Sequence, residues 1–258
     1  MSKLKLALVG GKVENSKSEL VHAFILRQFN CEVEYQKYSL TEGEFEGKFP
    51  VLLQNFDGIN ITTPFKEKVM EHLTVTKKSD EARSVNTVLC RERLGDTTDG
   101  DGFLAMLRYE GIETKNQRFT LVGAGGAGRS IAQRLKTEGT VFLYRRNQAQ
   151  LCKDAKRLGV IASMGIQECD ALVNCTGIVK TSPVEREELR GCAVAIDLHY
   201  KTQTAFLSLA KKEGKICLDG LGMLFFQAYF SDCLYLGREG KEDEAFKLYQ
   251  LFLKEYKR

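Results

Sequence analysis

The sequence predicts an α/β protein of two domains, and three observations carry that prediction. Short apolar runs alternate with segments of helical periodicity from one end of the 258-residue chain to the other. A glycine-rich turn, GAGGAG at Gly123 to Gly128, follows the apolar run Phe119 to Val122, so a strand-to-helix unit opens in mid-chain. A hydrophobic content of 43% over 258 residues is enough to bury two modest cores.

In the first third, strand patterns fall at Leu4 to Val9, Cys31 to Tyr38, Gly58 to Ile61 and Thr87 to Cys90. Ser18 to Phe29 has helical spacing through Leu20, Val21, Phe24, Ile25 and Phe29. These elements are expected to build one mostly parallel sheet. After Glu110-Gly111 a second set of strands begins: Arg118 to Val122, Thr140 to Tyr144, Ala171 to Asn174, Ala193 to Asp197 and Lys215 to Leu218. Helical patterns at Gly126 to Leu135, Gln148 to Leu158 and Thr204 to Glu213 separate several of them. From about Leu221 the chain reads as two helices, the second carrying Ala245, Phe246, Leu248, Leu251 and Phe252 and expected to return to the N-terminal domain. The expected domains are residues 1–103 with about 232–258, and residues 104–231, with a ligand in the cleft between them.

The bulk properties exclude several classes. A net charge of +4 is mild, and the basic residues are scattered, which argues against nucleic-acid binding. Eight cysteines without CxxC or Cys/His ligand spacing read as reduced packing residues of a cytoplasmic protein, not as disulfides or a metal site. The N-terminus runs directly into a strand pattern, and no apolar stretch has membrane-spanning length, so neither a signal peptide nor a membrane partner is expected.

The glycine turn carries a specific chemistry. Gly123 permits the tight turn out of a strand, Gly125 lets the backbone approach a pyrophosphate, and Gly128 lets the next helix pack closely. A helix starting at Gly126 presents unpaired N–H groups and the positive end of its dipole to phosphate. About twenty residues on, where an NAD enzyme usually places an acidic residue for the ribose hydroxyl, the chain has Tyr144-Arg145-Arg146-Asn147. Guanidinium groups suit a 2′-phosphate, so the second domain reads as a doubly wound Rossmann unit for NADP(H).

A ketone reductase also needs a pocket that orients the carbonyl and a group that protonates the developing alkoxide. Three N-terminal segments offer the polar residues: Gly58 to Lys66, Val85-Asn86-Thr87, and Thr97-Thr98-Asp99-Gly100. Singly, Lys66 also reads as a solvated first-turn lysine, Asn86 as a strand-end turn residue, and Asp99 as a DG turn or helix cap.

Together these segments resemble the shikimate dehydrogenase family, and the resemblance runs from the first strand to the last helices. The family's G-x-P-I-x-H-S-x-S-P is similar to Gly10 to Glu19, with both Ser16 and Ser18 retained. Its N-V-T-x-P-x-K is similar to Asn60 to Lys66, its G-A-V-N-T to Arg83 to Thr87, and its N-T-D-G to Thr97 to Gly100. In the second domain GAGGAG matches the cofactor turn, and N-R-T corresponds to Arg145-Arg146-Asn147. The D-x-x-Y segment looks like Asp197 to Tyr200, and D-G-x-x-M-L-x-x-Q is carried in full by Asp219 to Gln227.

The resemblance implies Lys66 and Asp99 as the catalytic pair. It implies Ser16, Ser18, Thr62, Lys66, Asn86, Asp99 and Gln227 as binders of shikimate, with Tyr200 near its carboxylate. It places NADP(H) on Gly123, Ala124, Gly125, Gly126, Ala127, Arg145, Arg146, Asn147, Leu198 and Gly220, with no metal. The implied reaction is the reversible reduction of 3-dehydroshikimate to shikimate, in aromatic amino-acid (chorismate) biosynthesis, by a monomer or homodimer. Hydroxyls can hold a carboxylate, and Asn86, Asp99 and Gln227 can read a polyol through paired donors and acceptors. The alternatives are a quinate/shikimate dehydrogenase and, from another class, a non-catalytic NADP-binding sensor; the arginines argue against NAD preference.

The chain departs from the family pattern at Lys12 and Glu19 for proline, Asn15 for histidine, Arg83 for glycine and Thr97 for asparagine. The usual second arginine beyond N-R-T falls on Gln150. His22, on an otherwise apolar helix face, reads as a packing residue rather than a catalytic one.

Overall fold

The computed structural model describes residues 2–256. The chain divides into two compact units: Met1–Gly102 with Leu224–Arg258, and Phe103–Met223. The return to the first unit at Leu224 comes ahead of the expected residue 232, because the stretch bearing Gln227 packs there. A Cβ on Gly102 would meet the Gln227 backbone nitrogen at 2.5 Å, so only glycine admits that helix.

The first unit is built on a six-stranded sheet of order β2-β1-β3-β5-β6-β4. Its strands are β1 (Ser2–Gly10), β2 (Cys31–Ser39), β3 (Gly58–Ile61), β4 (Thr74–Val75), β5 (Thr87–Leu89) and β6 (Leu94–Asp96). β1 pairs in parallel with β2 and β3, whereas β5 runs antiparallel to both β3 and β6. The sheet is therefore parallel-rich but mixed. The reversal puts the start of β5 at the same edge as the ends of β1, β3 and β6, where Thr87 stands between Asn60 and Asp96.

The expected helix near Ser18 is α1 (Ser18–Gln28), burying Val21, Phe24, Ile25 and Leu26. Three further helices have no clear signal in the sequence pattern: α2 (Glu42–Asn55), α3 (Lys77–Ala82) and α4 (Asp99–Tyr109). Gly43, Gly47 and Pro50 make the α2 segment look like a loop. Its start is fixed by a capping box, in which Thr41 Oγ1 accepts from Glu44 N while Glu44 Oε2 accepts from Thr41 N. The helix is retained because Phe45, Phe49, Leu52 and Leu53 are buried under the sheet with Ile59, Ile61 and Phe65. Phe45 stacks on Phe65 at 4.4 Å and on Phe49 at 5.0 Å.

The second unit holds an all-parallel sheet of order β12-β11-β10-β7-β8-β9. The strands are β7 (Arg118–Val122), β8 (Thr140–Tyr144), β9 (Ile161–Ala162), β10 (Ala171–Asn174), β11 (Val194–Asp197) and β12 (Ile216–Leu218). Helices α5 (Gly126–Leu135), α6 (Gln148–Leu158) and α7 (Ala205–Lys212) alternate with them. In chain order this is 3-2-1-4-5-6, the doubly wound dinucleotide-binding topology. Strand order reverses at β7, so the ligand edge lies at its carboxyl end. The core comprises Leu172, Leu189, Ala195, Phe206 and their neighbours. The chain ends in α8 (Leu221–Tyr235) and α9 (Glu242–Tyr256), whose Tyr249 and Phe252 pack on Phe225. Among the described residues no helix is long and apolar enough to cross a membrane. All eight cysteines are free, and burial pushes Cys90 up to about 12 and Cys192 and Cys233 up to about 11.

Candidate active site

The polar residues of the first unit converge because strand direction brings their loops to one edge. Lys66 follows β3, Asn86 precedes β5, and Asp99 opens α4 just after β6. Lys66 Nζ donates to Asp99 Oδ2 at 2.5 Å, and the two side chains keep only 13% and 5% of their surface exposed. A charge pair this sheltered interacts more strongly than an exposed one, since water screens it little. The backbone locks the loops: Val85 N donates to Lys66 O, Ile61 N to Asn86 O, and Asn86 N to Asp96 O.

Asn86 is the hub. Its Nδ2 lies 2.9 Å from Thr98 Oγ1, 3.0 Å from Asp99 Oδ1 and 3.0 Å from Gln227 Oε1. An amide has two N–H groups, so it shares them among these three acceptors. Asn86 Oδ1 in turn accepts from Thr98 N and Thr87 Oγ1. Gln227 Nε2 donates to Leu224 O, and Thr98 Oγ1 donates to Gln227 O, which pins α8 to the start of α4.

Lys66, Asn86, Asp99 and Gln227 thus form one hydrogen-bonded group. Ser16 and Ser18 lie beyond the end of β1, with their hydroxyls 2.9 Å apart and Ser18 N donating to Ser16 Oγ at 3.2 Å. Thr62 sits against the end of β1: its methyl closes on the space a Cβ at Gly10 would need, and Thr62 N donates to Val9 O. The two serines bond each other.

Sequence reasoning named Thr87 and Thr98 only as members of polar segments and did not reach Ser231. Ser231 Oγ lies 2.6 Å from Thr87 Oγ1 and 3.0 Å from both Thr98 Oγ1 and Gln227 O, and its single proton is shared among them. It stands four residues after Gln227, on the same face of α8, and that spacing was a usable signal. Around this group, Lys78 holds Asp101 at 3.0 Å and Asp96 at 3.2 Å. Desolvation alone would lower the Lys78 pKa, but the two carboxylates outweigh it and raise it. His22 is a packing residue with a polar partner: fully buried, it lies with Nδ1 2.6 Å from Asp232 Oδ1. Burial raises the Asp232 pKa against the opposing pull of His22.

In the second unit the dinucleotide features are built from backbone. Gly123 follows β7 with φ +99°, open only to glycine without strain. Gly125 is the N-cap of α5, and a Cβ there would meet nothing within 4 Å, so the space over the helix start is free for a phosphate. A Cβ on Gly128 would come within 2.7 Å of Gly123 O and 3.1 Å of Cys175 Cβ, so the helix can approach the turn only through glycine. Desolvation pushes the Cys175 thiol well above its ordinary range, which makes it a neutral packing atom there. These features fit a pyrophosphate at Gly123 to Ala127.

At the neighbouring strand end Gly123 N donates to Tyr144 O at 2.8 Å, which sets Arg145 beside the glycine turn. Arg146 is exposed, and Asn147 caps α6 by accepting from Gln150 N. Arg145 is not simply solvated, since its Nη1 donates to the buried Asp154 at 2.6 Å. Leu198 and Tyr200 follow β11, where Asp197 accepts from Asn174, Thr204 and His199 N. Gly220 N donates to His199 O, and a side chain at Gly220 would collide with the Leu198 carbonyl. Among the described residues no group of His, Cys, Asp and Glu side chains could hold a metal ion.

A doubly wound dinucleotide-binding unit, in one chain with a mixed-sheet unit bearing a sheltered lysine–aspartate pair, defines an oxidoreductase of the nicotinamide-dependent class. The family model for the shikimate dehydrogenase substrate binding domain matches residues 8–88. A shikimate dehydrogenase (NADP(+)) of Thermus thermophilus is 33% identical, with 91% of this chain and 93% of the relative covered. That of Pyrococcus furiosus is 30% identical over 97% and 96% of the two chains. The crystal structure of shikimate 5-dehydrogenase from Thermus thermophilus in complex with NADP(H) and shikimate superposes with a TM-score of 0.85. It is 30% identical and covers 95% of this chain and 98% of that one. The chain belongs to the shikimate dehydrogenase family.

Proposed function

We propose that the protein is an NADP-dependent shikimate dehydrogenase, interconverting 3-dehydroshikimate and shikimate in the route to chorismate and the aromatic amino acids. The observation that carries the reading is the 2.5 Å Lys66–Asp99 pair inside the Asn86–Gln227 network. The unit containing that network serves as the substrate domain, and the glycine-turn unit as the cofactor domain.

When bound, the dihydronicotinamide would supply a hydride, one proton with two electrons, to the carbonyl carbon. As charge develops on the carbonyl oxygen, the Lys66 ammonium delivers a proton or a strong hydrogen bond to it, and Asp99 holds the ammonium in place. Asn86 and Gln227 read the ring hydroxyls through their amide donors and acceptors. In oxidation the lysine amine takes the proton back. Ser16 and Ser18 supply hydroxyl donors for the carboxylate, with Thr62 standing against the end of β1. Gly123, Ala124, Gly125, Gly126 and Ala127 would hold the pyrophosphate of NADP(H), Arg145, Arg146 and Asn147 would receive its 2′-phosphate, and Leu198 and Gly220 would contribute to the same cofactor site.

The test is NADPH formation from shikimate or quinate, with NADP+ or NAD+, for the wild type and Lys66→Ala. The variant should lose about 10²- to 10⁴-fold in kcat. Undiminished turnover would remove Lys66 from the chemistry, and turnover of quinate above shikimate would reassign the substrate. We further infer a cytoplasmic enzyme working as a monomer or homodimer with no nucleic-acid or membrane partner. Free, largely buried thiols support a reducing compartment, and light scattering of the purified chain reads the oligomeric state.

A further inference from the structure

Arg145 stands in a cluster that the cofactor reading does not account for. Asp154, on α6, is fully buried, and its carboxylate is ligated on both oxygens. Oδ2 accepts from Arg145 Nη1 at 2.6 Å, while Oδ1 accepts from Arg157 Nη2 at 2.8 Å and from Gln150 Nε2 at 3.1 Å. Gln150 and Arg157 lie on the same helix as Asp154 at four- and three-residue spacing, so they are local partners. Arg145 reaches it from outside the helix, from the end of β8.

We propose that Asp154 is a positioning residue for cofactor selectivity: it holds Arg145 as a bridge, with one N–H on the carboxylate and the rest of the fork available to the 2′-phosphate. This rests on the reading that Arg145 and Arg146 receive that phosphate. A guanidinium carries five N–H donors in a rigid plane, and Asp154 occupies one Nη of Arg145, whose side chain keeps 27% of its surface exposed. A long side chain loses rotamer freedom when it binds a ligand; one already clamped loses less. The clamp also leaves the charge balance favourable. Arg145, Arg146 and Arg157 against Asp154 remain net positive toward a phosphate dianion. Gln150, where the family usually has its second arginine, serves the carboxylate instead of the phosphate. Position 145 thus carries an arginine where the family pattern has asparagine, and the buried Asp154 holds it.

The test compares dissociation constants of NADP+ and NAD+ by titration of the full-length protein. Asp154→Asn should weaken NADP+ by about tenfold and leave NAD+ within about twofold, because the clamp acts only on the phosphate ligand. Arg145→Lys changes a partly exposed side chain and keeps its charge, so it places little burden on folding. It should lose most of the selectivity lost by Arg145→Ala, since an ammonium cannot bridge two anions in a plane. An unchanged NADP+/NAD+ ratio in Asp154→Asn, tighter NADP+ binding in that variant, or full selectivity in Arg145→Lys would each overturn the proposal. The double variant Arg145→Ala with Arg146→Ala separates the two ideas: if it keeps NADP+ preference, the phosphate reading itself fails.

Discussion

The two units solve the problem of site construction in opposite ways. In the first, side chains from the ends of β3 and β6, the start of β5 and the middle of α8 are tied to one another by side-chain hydrogen bonds. In the second, a contiguous glycine turn presents backbone, and a single neighbouring strand end presents charge. A site of the first kind is preorganised by its own network, with Asn86 Nδ2 within hydrogen-bond distance of Thr98, Asp99 and Gln227. A site of the second kind is preorganised by helix geometry and by glycine-permitted close approach. Substitutions in the first should therefore act on turnover and substrate affinity, and those in the second on cofactor affinity.

The largest expected effect comes from Asp99→Asn, which removes the lysine's counter-ion. It should lower kcat by about 10²-fold or more while NADPH affinity in a fluorescence titration stays near wild type. A comparable loss of NADPH affinity would break the separation. Next is Gly128→Val, where the added carbon atoms meet Gly123 O and Cys175. Overpacking of this kind costs about 1–3 kcal/mol, so thermal unfolding should shift down and NADPH binding weaken. Wild-type NADPH affinity in that variant would show that the glycine is not needed for the turn. Ser231→Ala should cost about 1 kcal/mol of stability and raise KM for shikimate but not for NADP+, because it loosens the Gln227–Thr98 network alone. An increase confined to the NADP+ KM would contradict its place in the network.

The smallest effect concerns Arg83, which stands where the family has glycine. It caps α3 in the left-handed region, at φ 48° and ψ 48°. Arg83→Gly relieves that strain but gives up ion pairs to Glu67 at 3.4 Å and Asp80 at 3.7 Å, both largely solvent-exposed. Exposed pairs contribute little, so the variant should gain up to about 1 kcal/mol in denaturant unfolding. A loss would mean that the arginine's contacts outweigh its backbone strain.

Legibility followed the same divide. Strand limits such as Gly58–Ile61, Arg118–Val122, Thr140–Tyr144 and Ala171–Asn174 were readable because each is a short apolar run bounded by turn residues. Helices α5 and α6 were readable from their helical patterns, α5 also from the glycine turn that precedes it. Helix α2 was not, because two glycines and a proline mask a helix that burial of four apolar side chains sustains. The short strands β4, β6 and β9 were silent because a strand of two or three residues has no periodicity to detect. Lys66, Asn86, Asp99 and Gln227 could be nominated one motif at a time. That they form one network required the antiparallel turn of β5, which no local pattern encodes.

The sequence by itself determined the α/β class, the mid-chain glycine turn, the arginine pair after the second strand and the family, because each lies in contiguous residues or in periodicity. Only the tertiary structure decided that Asn86 bonds Asp99 and Gln227, that Ser231 braces them through Thr87 and Thr98, and that Arg145 is clamped by a buried Asp154. Those contacts join residues up to 144 positions apart. Their existence depends on strand order and helix packing, which a linear chain specifies only through the whole of its burial.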